Sequence, residues 1–292
     1  MAQKKPILVT GASSGIGRMV TEFLSRKGHL VYACARKESD IKNLNSLDNV
    51  ISFRLDVTKP DEVLKVVDRV KKEEKGLYAI VNNAGISDHW PILETDEEML
   101  NRVFDVNVYG PLRITNALFS FLIESKGRIV NISSVSGLFT PIFAGTYSMS
   151  KHALEAWSNA LSQELKDYNV KVSIIEPGNF KTNIFNSTAQ LVLERFQQPI
   201  DSTFKKELEG IFAIGSQADE EFEKYPSPEK VANAVMDALF NENPKTRYLV
   251  INDRSGFAKM LKHIMIKLSQ VFQENEYGIT KEELHKLLDT VL

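Results

Sequence analysis

A tyrosine and a lysine four positions apart are the first residues of this chain whose types could carry out chemistry. Tyr147 and Lys151 lie in the stretch TYSMSKH, which otherwise resembles the first turn of an amphipathic helix. Residues at this spacing share one helix face. A phenol has a pKa of about 10 in water, too high for proton transfer at neutral pH. Because a nearby ammonium favours the phenolate, we expect Lys151 to lower the pKa of Tyr147 and make it a general acid or base.

A glycine-rich turn lies near the start of the chain. The segment TGASSGIG follows the apolar run PILV, and its glycines are Gly11, Gly15 and Gly17. Such glycines permit a tight turn, close approach of the backbone to a pyrophosphate, and close packing of a helix on a sheet. The helix that begins there directs its N–H groups at phosphates. The spacing differs from G-x-G-x-x-G and includes no Walker lysine, but its position between a strand and a helix predicts a nucleotide site.

The end of the second predicted strand indicates which nucleotide binds. A carboxylate at this place holds the ribose hydroxyls of NAD, whereas an arginine meets the 2′-phosphate of NADP. Here the strand ends in ACARK, with Arg36 and Lys37 and no carboxylate. We therefore expect NADP(H), with NAD(H) possible and a solvated basic loop as the simpler alternative. Asp56, after the third strand, either accepts from the adenine amino group or caps a loop.

Short apolar runs alternate with helical patterns along most of the chain. The strands are PILVTG, HLVYACA, VISFRLDV, LYAIVNNAG, GRIVNISS, VKVSIIEPG and TRYLVIN, and helices are expected at about 16–27, 61–75, 96–125, 146–167 and 228–240. This pattern predicts an α/β fold with a doubly wound, Rossmann-like parallel sheet of about seven strands and helices on both faces. We expect a single domain over 1–292, with a helical substrate-covering insertion at about 183–225 and a helical extension at about 254–292.

Composition narrows the functional class. The 292 residues are 43% hydrophobic and 25% charged, with a formal net charge of −2, which argues against nucleic-acid binding through a basic surface. The lone Cys34 excludes an intrachain disulfide and fits a reducing compartment. No signal peptide or membrane span is expected, so we predict a cytoplasmic protein. The segment 257–272 is predicted to be a basic amphipathic helix that packs on the body or on a second subunit, or makes peripheral membrane contact.

The motifs together resemble the short-chain dehydrogenase/reductase family. They are TGASSGIG, NNAG, a serine thirteen residues before the tyrosine, YSMSK, and EPG followed by Thr182, in the family's order over roughly residues 5–185. The resemblance implies that Tyr147 is the general acid/base and that Lys151 binds the nicotinamide ribose and lowers the tyrosine pKa. It implies that Ser134, rather than Ser133, hydrogen-bonds the substrate oxygen, and that Asn107 holds a water in a proton relay.

The resemblance also implies a set of binding residues, without a metal site. The expected cofactor-binding residues are Thr10, Gly11, Ser13, Ser14, Gly15, Ile16, Gly17, Arg36, Asp56, Asn83, Ala84, Gly85, Tyr147, Lys151, Pro177, Gly178, Phe180 and Thr182. The closest branch in appearance is that of the hydroxysteroid and retinol dehydrogenases. Besides Ser134, the expected pocket wall is apolar and consists of Leu138, Phe139, Ile142, Phe143, Phe180, Ile184 and Phe185.

The predicted function is an NADP(H)-dependent oxidoreductase that moves a hydride between nicotinamide and a hydrophobic ketone, aldehyde or alcohol of steroid-like or retinoid-like character. Family members are often homodimers or homotetramers, and we expect the same here. Three alternatives stay open: a nucleotide-binding sensor without turnover, an NAD-dependent enzyme with another small carbonyl substrate, and an epimerase or dehydratase that uses bound nicotinamide. Neither His89 nor His152 is assigned a role.

Overall fold

A computed structural model describes residues 4–197, 202–216, 223–273, 278 and 280–291 of the chain. The chain divides into two compact units, Met1–Val250 and Ile251–Leu292. The first unit contains the whole sheet and every residue of the predicted site. The expectation of a single domain over 1–292 stays a prediction.

Seven parallel strands form one sheet, as the alternating pattern predicts. They are β1 (Ile7–Val9), β2 (Val31–Ala35), β3 (Val50–Arg54), β4 (Ala79–Asn82), β5 (Arg128–Ile132), β6 (Lys171–Pro177) and β7 (Arg247–Val250). Their spatial order is β3-β2-β1-β4-β5-β6-β7. The order reverses at β1, where Ile7 pairs with Val31 of β2 on one side and with Ala79 of β4 on the other. Parallel sheets bind ligands beyond the carboxyl ends of their strands at such a reversal.

Both faces of the sheet are covered, which explains why the strands are apolar throughout. In β1, Ile7 and Val9 belong to one core cluster, and Leu8 belongs to the other. The same alternation assigns Val31 of β2 to the first cluster and Tyr32 to the second. Because successive strand residues point to opposite faces, a strand buried on both sides needs apolar residues at every position.

Helices account for most of the remaining described residues. In the first unit they are α1 (Gly15–Arg26), α2 (Glu38–Leu44), α3 (Pro60–Lys72), α4 (Glu97–Phe104), α5 (Gly110–Ser125), α6 (Gly145–Glu164), α7 (Asn183–Arg195), α8 (Lys205–Ser216) and α9 (Glu229–Phe240). The second unit contains α10 (Arg254–Gln273) and α11 (Lys281–Val291). No helix in the described parts of the chain is both long and apolar enough to cross a bilayer.

Two features differ from the sequence expectations. The helix expected at 96–125 is interrupted by a π-helical segment at Asp105–Tyr109, between α4 and α5. A Cβ on Gly110 would lie 2.7 Å from Cγ2 of Val57, so glycine lets this helix approach the loop after β3. The short helix α2 was not predicted, because its seven residues, ESDIKNL, are too few to display a helical period.

Candidate active site

The glycine turn after β1 has a backbone that requires glycine. Gly11 and Gly15 have φ values of +63° and +54°, in the left-handed region that favours glycine. A Cβ on Gly17 would lie 2.3 Å from the carbonyl oxygen of Gly11 and 2.4 Å from Nδ2 of Asn83. The first turn of α1 carries no acidic side chain. The turn therefore presents unblocked backbone N–H groups and a helix N-terminus to an anion.

The ends of β1 and β4 are joined by polar side chains. Oγ1 of Thr10 accepts hydrogen bonds from the backbone N–H groups of Asn83 and Ala84, both at 3.0 Å. The Asn83 amide donates to the carbonyl oxygens of Thr10 and Gly11, also at 3.0 Å. The side chain of Asn83 thus fixes the glycine turn against β4. Its expected position along the cofactor stays a prediction.

Three further predicted cofactor residues lie beside the turn and at the ends of β2 and β3. A Cβ on Gly15 would lie 3.1 Å from Cβ of Thr182, so the residue before α7 meets the start of α1. Arg36 is exposed at the end of β2, and its charge acts on Asp56. Asp56 accepts from the backbone N–H and the hydroxyl of Thr58, at 3.0 and 2.7 Å. Burial opposes ionisation of Asp56, but these bonds and the nearby cations outweigh it and lower its pKa. Asp56 therefore caps the loop at Thr58.

The predicted reacting residues come together at the carboxyl end of β5. Ser134 follows β5, and its side chain lies close enough to Tyr147, at the start of α6, to affect the pKa of the phenol. The ammonium Nζ of Lys151 lies 5.6 Å from the centroid of the Tyr147 ring and donates to the carbonyl oxygen of Ile132 at 2.9 Å. Ser133 does not make this contact. The Ser133 hydroxyl instead lies beside Gly137 and Glu155, since a Cβ on Gly137 would lie 2.9 Å from Oγ of Ser133.

The pKa of Tyr147 differs from the sequence expectation. Burial raises it to about 12, and the side chain of Ser134 opposes the increase. Burial also lowers the pKa of Lys151 to about 8, which the charge of Glu155 opposes. The expected low pKa of Tyr147 is wrong for the protein alone, because burial outweighs the groups that favour the phenolate. The phenol therefore holds its proton at neutral pH.

Three amide and hydroxyl side chains anchor α6 to the sheet. The Asn82 amide donates to Oδ1 of Asn131 at 2.8 Å, and the Asn131 amide donates to Oγ of Ser158 on α6 at 2.8 Å. All three residues are nearly inaccessible to solvent. Buried hydrogen bonds of this kind fix a helix in one position. They hold the Tyr147 face of α6 at the ends of β4 and β5.

Asn107 occupies the π-helical segment and makes three hydrogen bonds. Its Oδ1 accepts from the backbone N–H of Ile86 at 2.9 Å, while its Nδ2 donates to the carbonyl oxygen of Ile86 at 2.8 Å and to Oγ of Ser150 at 3.0 Å. The side chain thus joins the loop after β4 to α6. A Cβ on Gly85 would lie 3.4 Å from Oδ1 of Asn107 and 3.7 Å from Nζ of Lys151. The water relay stays a prediction.

Part of the expected apolar wall follows β5. Leu138 and Phe139 are partly buried after the short 3-10 turn Val135–Gly137. Phe143 has a φ of +59° and packs edge-on against Phe204, with 5.8 Å between ring centroids. Its carbonyl oxygen accepts from the backbone N–H of Trp90 at 2.8 Å. This strained residue therefore connects the loop after β5 with the loop after β4 and with the start of α8.

Two members of the expected wall are placed elsewhere. The side chain of Ile142 is 76% exposed, so it does not form an enclosed wall. Phe180 is 4% exposed and belongs to the core cluster that contains Val9, so its role as a wall residue is also corrected. An apolar side chain near a site packs into the core where a covered position is available. Ile184 is partly buried at the start of α7, and the side chain of Phe185 lies outside the described residues.

An ion pair near this wall was not predicted. Arg195, at the end of α7, donates from both Nη atoms to the two carboxylate oxygens of Asp88, each at 2.8 Å. Asp88 is 1% exposed, and the guanidinium lies 4.9 Å from the centroid of the Trp90 ring. Phe196 packs edge-on against the same ring. No local motif identifies a pair 107 residues apart, although DHW is an unusual polar and aromatic sequence two residues after the NNAG motif.

Comparisons with known proteins agree with this geometry. The short chain dehydrogenase family model matches residues 5–191. The chain is 34% identical to an NADPH-dependent 3-dehydrocapnine reductase from Ornithobacterium rhinotracheale, over 94% of this chain and 98% of that protein. It is 33% identical to 17-beta-hydroxysteroid dehydrogenase type 6 from Rattus norvegicus, over 84% of this chain and 80% of that protein. A crystal structure of a short-chain dehydrogenase from Streptomyces avermitilis is similar, with a TM-score of 0.76 and 29% identity over 92% of this chain and 96% of that one.

Proposed function

The chain belongs to the short-chain dehydrogenase family, and we propose that it is an NADPH-dependent reductase of apolar ketones or aldehydes. The proposal rests on the contact between Ser134 and Tyr147, with the ammonium of Lys151 near the Tyr147 ring. These residues lie at the same edge of the sheet as the glycine turn. A dehydrogenase that acts on CH–OH groups needs a proton donor, a partner for the substrate oxygen and a place for a dinucleotide, and this edge offers all three.

The residues at the switch point fit NADPH. Gly11, Gly15 and Gly17 leave room for a pyrophosphate where side chains would intrude, and the N-terminus of α1 faces the same space. Arg36 is exposed at the end of β2, where its planar guanidinium suits a 2′-phosphate. The relative from Ornithobacterium rhinotracheale is named as NADPH-dependent, which supports the same choice here.

Proton transfer is the task of the chain's own residues. When bound, NADPH supplies the hydride that reaches the carbonyl carbon. Oη of Tyr147 then donates its proton to the carbonyl oxygen, and Oγ of Ser134 donates a hydrogen bond to the same oxygen. The ammonium of Lys151 stabilises the phenolate that forms.

The protonation of Tyr147 fits its proposed role as the proton donor in reduction. Because burial raises its pKa to about 12, the phenol is protonated at neutral pH and ready to donate. Alcohol oxidation needs the phenolate, which is the minor form under those conditions.

The substrate is proposed to be an apolar molecule with one carbonyl group. Phe143 and Phe204 form an aromatic pair beside the site, and Trp90 and Phe196 form another. A site with apolar walls and few polar groups selects for shape and hydrophobicity. The reductase and hydroxysteroid dehydrogenase relatives support a carbonyl or alcohol substrate of this class, and a steroid-like or retinoid-like compound stays within it.

The test is an assay of NADPH oxidation with a panel of steroid ketones, retinal, long-chain aldehydes and small polar ketones. The apolar carbonyl compounds should give the higher kcat/KM, and NADPH should be preferred over NADH. Tight NADPH binding without turnover on any of these compounds would contradict the proposal and favour a sensor. Product formation without net NADPH oxidation would favour an epimerase or a dehydratase.

The location and the assembly of the protein are also proposals. We propose a cytoplasmic homodimer or homotetramer, as is common among family members. Light scattering of the purified full-length chain measures the oligomer directly, and a monomeric mass would contradict this part of the account.

A further inference from the structure

A buried cluster of two carboxylates and one guanidinium lies next to the proposed proton-transfer site. Glu155 is on α6, one helical turn after Lys151, Glu176 is on β6, and Arg247 is on β7. Glu155 and Glu176 are 6% and 0% exposed. Nη1 of Arg247 donates to Oε2 of Glu155 at 2.6 Å and also to Oε1 of Glu176. The Tyr147–Lys151 pair therefore continues along the same helix face into a second set of charges.

The cluster has one cation for two carboxylates. Oε1 of Glu155 and Oε2 of Glu176 are buried and make no hydrogen bond. Two carboxylates around one guanidinium nitrogen repel each other, and a shared proton relieves the repulsion. Burial raises the pKa of Glu176 to about 7, with Glu155 acting in the same direction and Arg247 opposing it. A proton on Glu176 leaves Glu155 as the negative charge of the cluster.

Lys151 depends on a nearby negative charge because it is almost fully buried. It is 4% exposed, and Nζ donates to the carbonyl oxygen of Ile132. Burial favours the neutral amine, whereas Glu155 favours the ammonium. Residues at i and i+4 have Cβ atoms about 5–6 Å apart. Glu155 also lies beside Ser133, the residue that follows the carbonyl bound by Lys151.

We propose that Glu155, held by Arg247 and Glu176, is the counter-charge that keeps Lys151 protonated, and that it is therefore a positioning residue for proton transfer. The proposal rests on the proposed function, in which the Lys151 ammonium stabilises the Tyr147 phenolate. Among the described residues, Tyr147 and Glu155 are the titratable groups of α6 that face Lys151. Gly85 and the Asn107 amide are the neutral groups near its ammonium, and Glu176 on β6 and Arg247 on β7 are the charged groups that the strands contribute to the cluster.

The first test is the pH profile of ketone reduction by a Glu155→Gln variant. At pH 6 the Lys151 ammonium is present in both proteins, so kcat should agree within about twofold. At higher pH the Lys151 of the variant loses its proton first. At pH 8.5, kcat of the variant should be lower by up to about tenfold for each unit by which the pKa of Lys151 has fallen. The KM of the ketone should not change. An equal loss of kcat at every pH would overturn the proposal, because it indicates a structural role.

The second test does not depend on turnover. Lysines labelled with 13C at Cε are titrated by NMR, and the Lys151 signal is identified by its loss in Lys151→Met. The midpoint of Lys151 should fall by about one unit or more in Glu155→Gln. An unchanged midpoint would overturn the inference. If the parent protein reduces no carbonyl compound, the proposed function fails, but this titration still decides whether Glu155 controls Lys151.

Two further variants keep the tests interpretable. Asn159→Ala is the matched control, since Asn159 lies one turn beyond Glu155 and Nη2 of Arg247 donates to its Oδ1 at 3.5 Å. It should leave the Lys151 midpoint and the pH profile unchanged, and a shift equal to that of Glu155→Gln would overturn the assignment. Glu155→Met removes the same charge and replaces Glu155→Gln if that variant does not fold.

Discussion

The glycine turn and helix α7 are held in place by different kinds of contact. The turn is fixed by hydrogen bonds between Thr10 and Asn83, which follow neighbouring strands. Helix α7 is fixed by the ion pair of Arg195 with Asp88, which no strand pairing dictates. The order of a parallel sheet brings the ends of neighbouring strands together, whereas a helix beyond the sheet depends on individual side chains.

We expect this difference to separate the binding of cofactor from the binding of substrate. Changes at the turn should affect NADPH, because the proposed function places the cofactor phosphates at its backbone groups and glycines. Changes at the Asp88–Arg195 pair should affect the substrate, because the pair holds α7 and the Trp90 loop together. Variants in the two regions should therefore alter different kinetic constants.

Within these two regions, the largest effect is expected for Gly17→Ala. The new Cβ would lie 2.3 Å from the Gly11 carbonyl oxygen, so the turn must move. NADPH affinity should fall at least about a hundredfold, or about 3 kcal/mol, as measured by quenching of protein fluorescence. Gly210→Ala is the control, since a Cβ there meets no atom within 4 Å. Parent-like NADPH binding by Gly17→Ala would contradict the role of the turn.

A smaller and more selective effect is expected for Arg36→Gln. A hydrogen-bonded ion pair with the 2′-phosphate is worth about 1.5–3 kcal/mol, so NADPH affinity should fall about 10–100-fold. NADH affinity should stay within about twofold, since NADH has no 2′-phosphate. Isothermal titration with both nucleotides measures the ratio. Equal losses for NADPH and NADH would refute the assignment of Arg36.

Removal of the Asp88–Arg195 ion pair should affect the region around α7. Arg195→Met leaves the Asp88 carboxylate buried without its partner, which costs about 3 kcal/mol of unfolding free energy. The KM for an apolar ketone should rise about tenfold, equivalent to 1.4 kcal/mol, with NADPH affinity unchanged. Steady-state kinetics and urea unfolding measure the two quantities. The exposed pair Lys65–Asp61 supplies the control variant Lys65→Met, which should change neither. A loss of NADPH affinity in Arg195→Met would show that the two regions are not separate.

The smallest effect is expected for Ile142→Ala. The side chain is 76% exposed, so its truncation removes little buried surface. The KM and kcat for apolar ketones should both stay within about twofold of the parent values, since surface substitutions of this kind change free energies by about 0.5 kcal/mol or less. A tenfold rise in KM would contradict this expectation and show that Ile142 lines the substrate pocket.

The sequence predicted the parts of the site that follow from periodicity and strand order. Continuous apolar strands implied a buried parallel sheet, and the motifs after β1, β4 and β5 then had to meet at one edge. The tyrosine pKa was missed because burial is not visible in a helix motif, and Phe180 was misplaced for the same reason. The Asp88–Arg195 pair was missed because partners 107 residues apart, one in a loop and the other at the end of a helix, leave no periodic signal.

The contact of Tyr147 with Ser134 is the centre of this account, and Tyr147→Phe tests it most directly. Loss of the general acid should lower kcat for ketone reduction about 10²–10⁴-fold, while NADPH affinity stays within about twofold. Tyr168→Phe is the control, because Tyr168 is 52% exposed in the turn after α6. The measurement is kcat at saturating NADPH and ketone beside the NADPH dissociation constant of each variant. Turnover of Tyr147→Phe within tenfold of the parent would contradict the account.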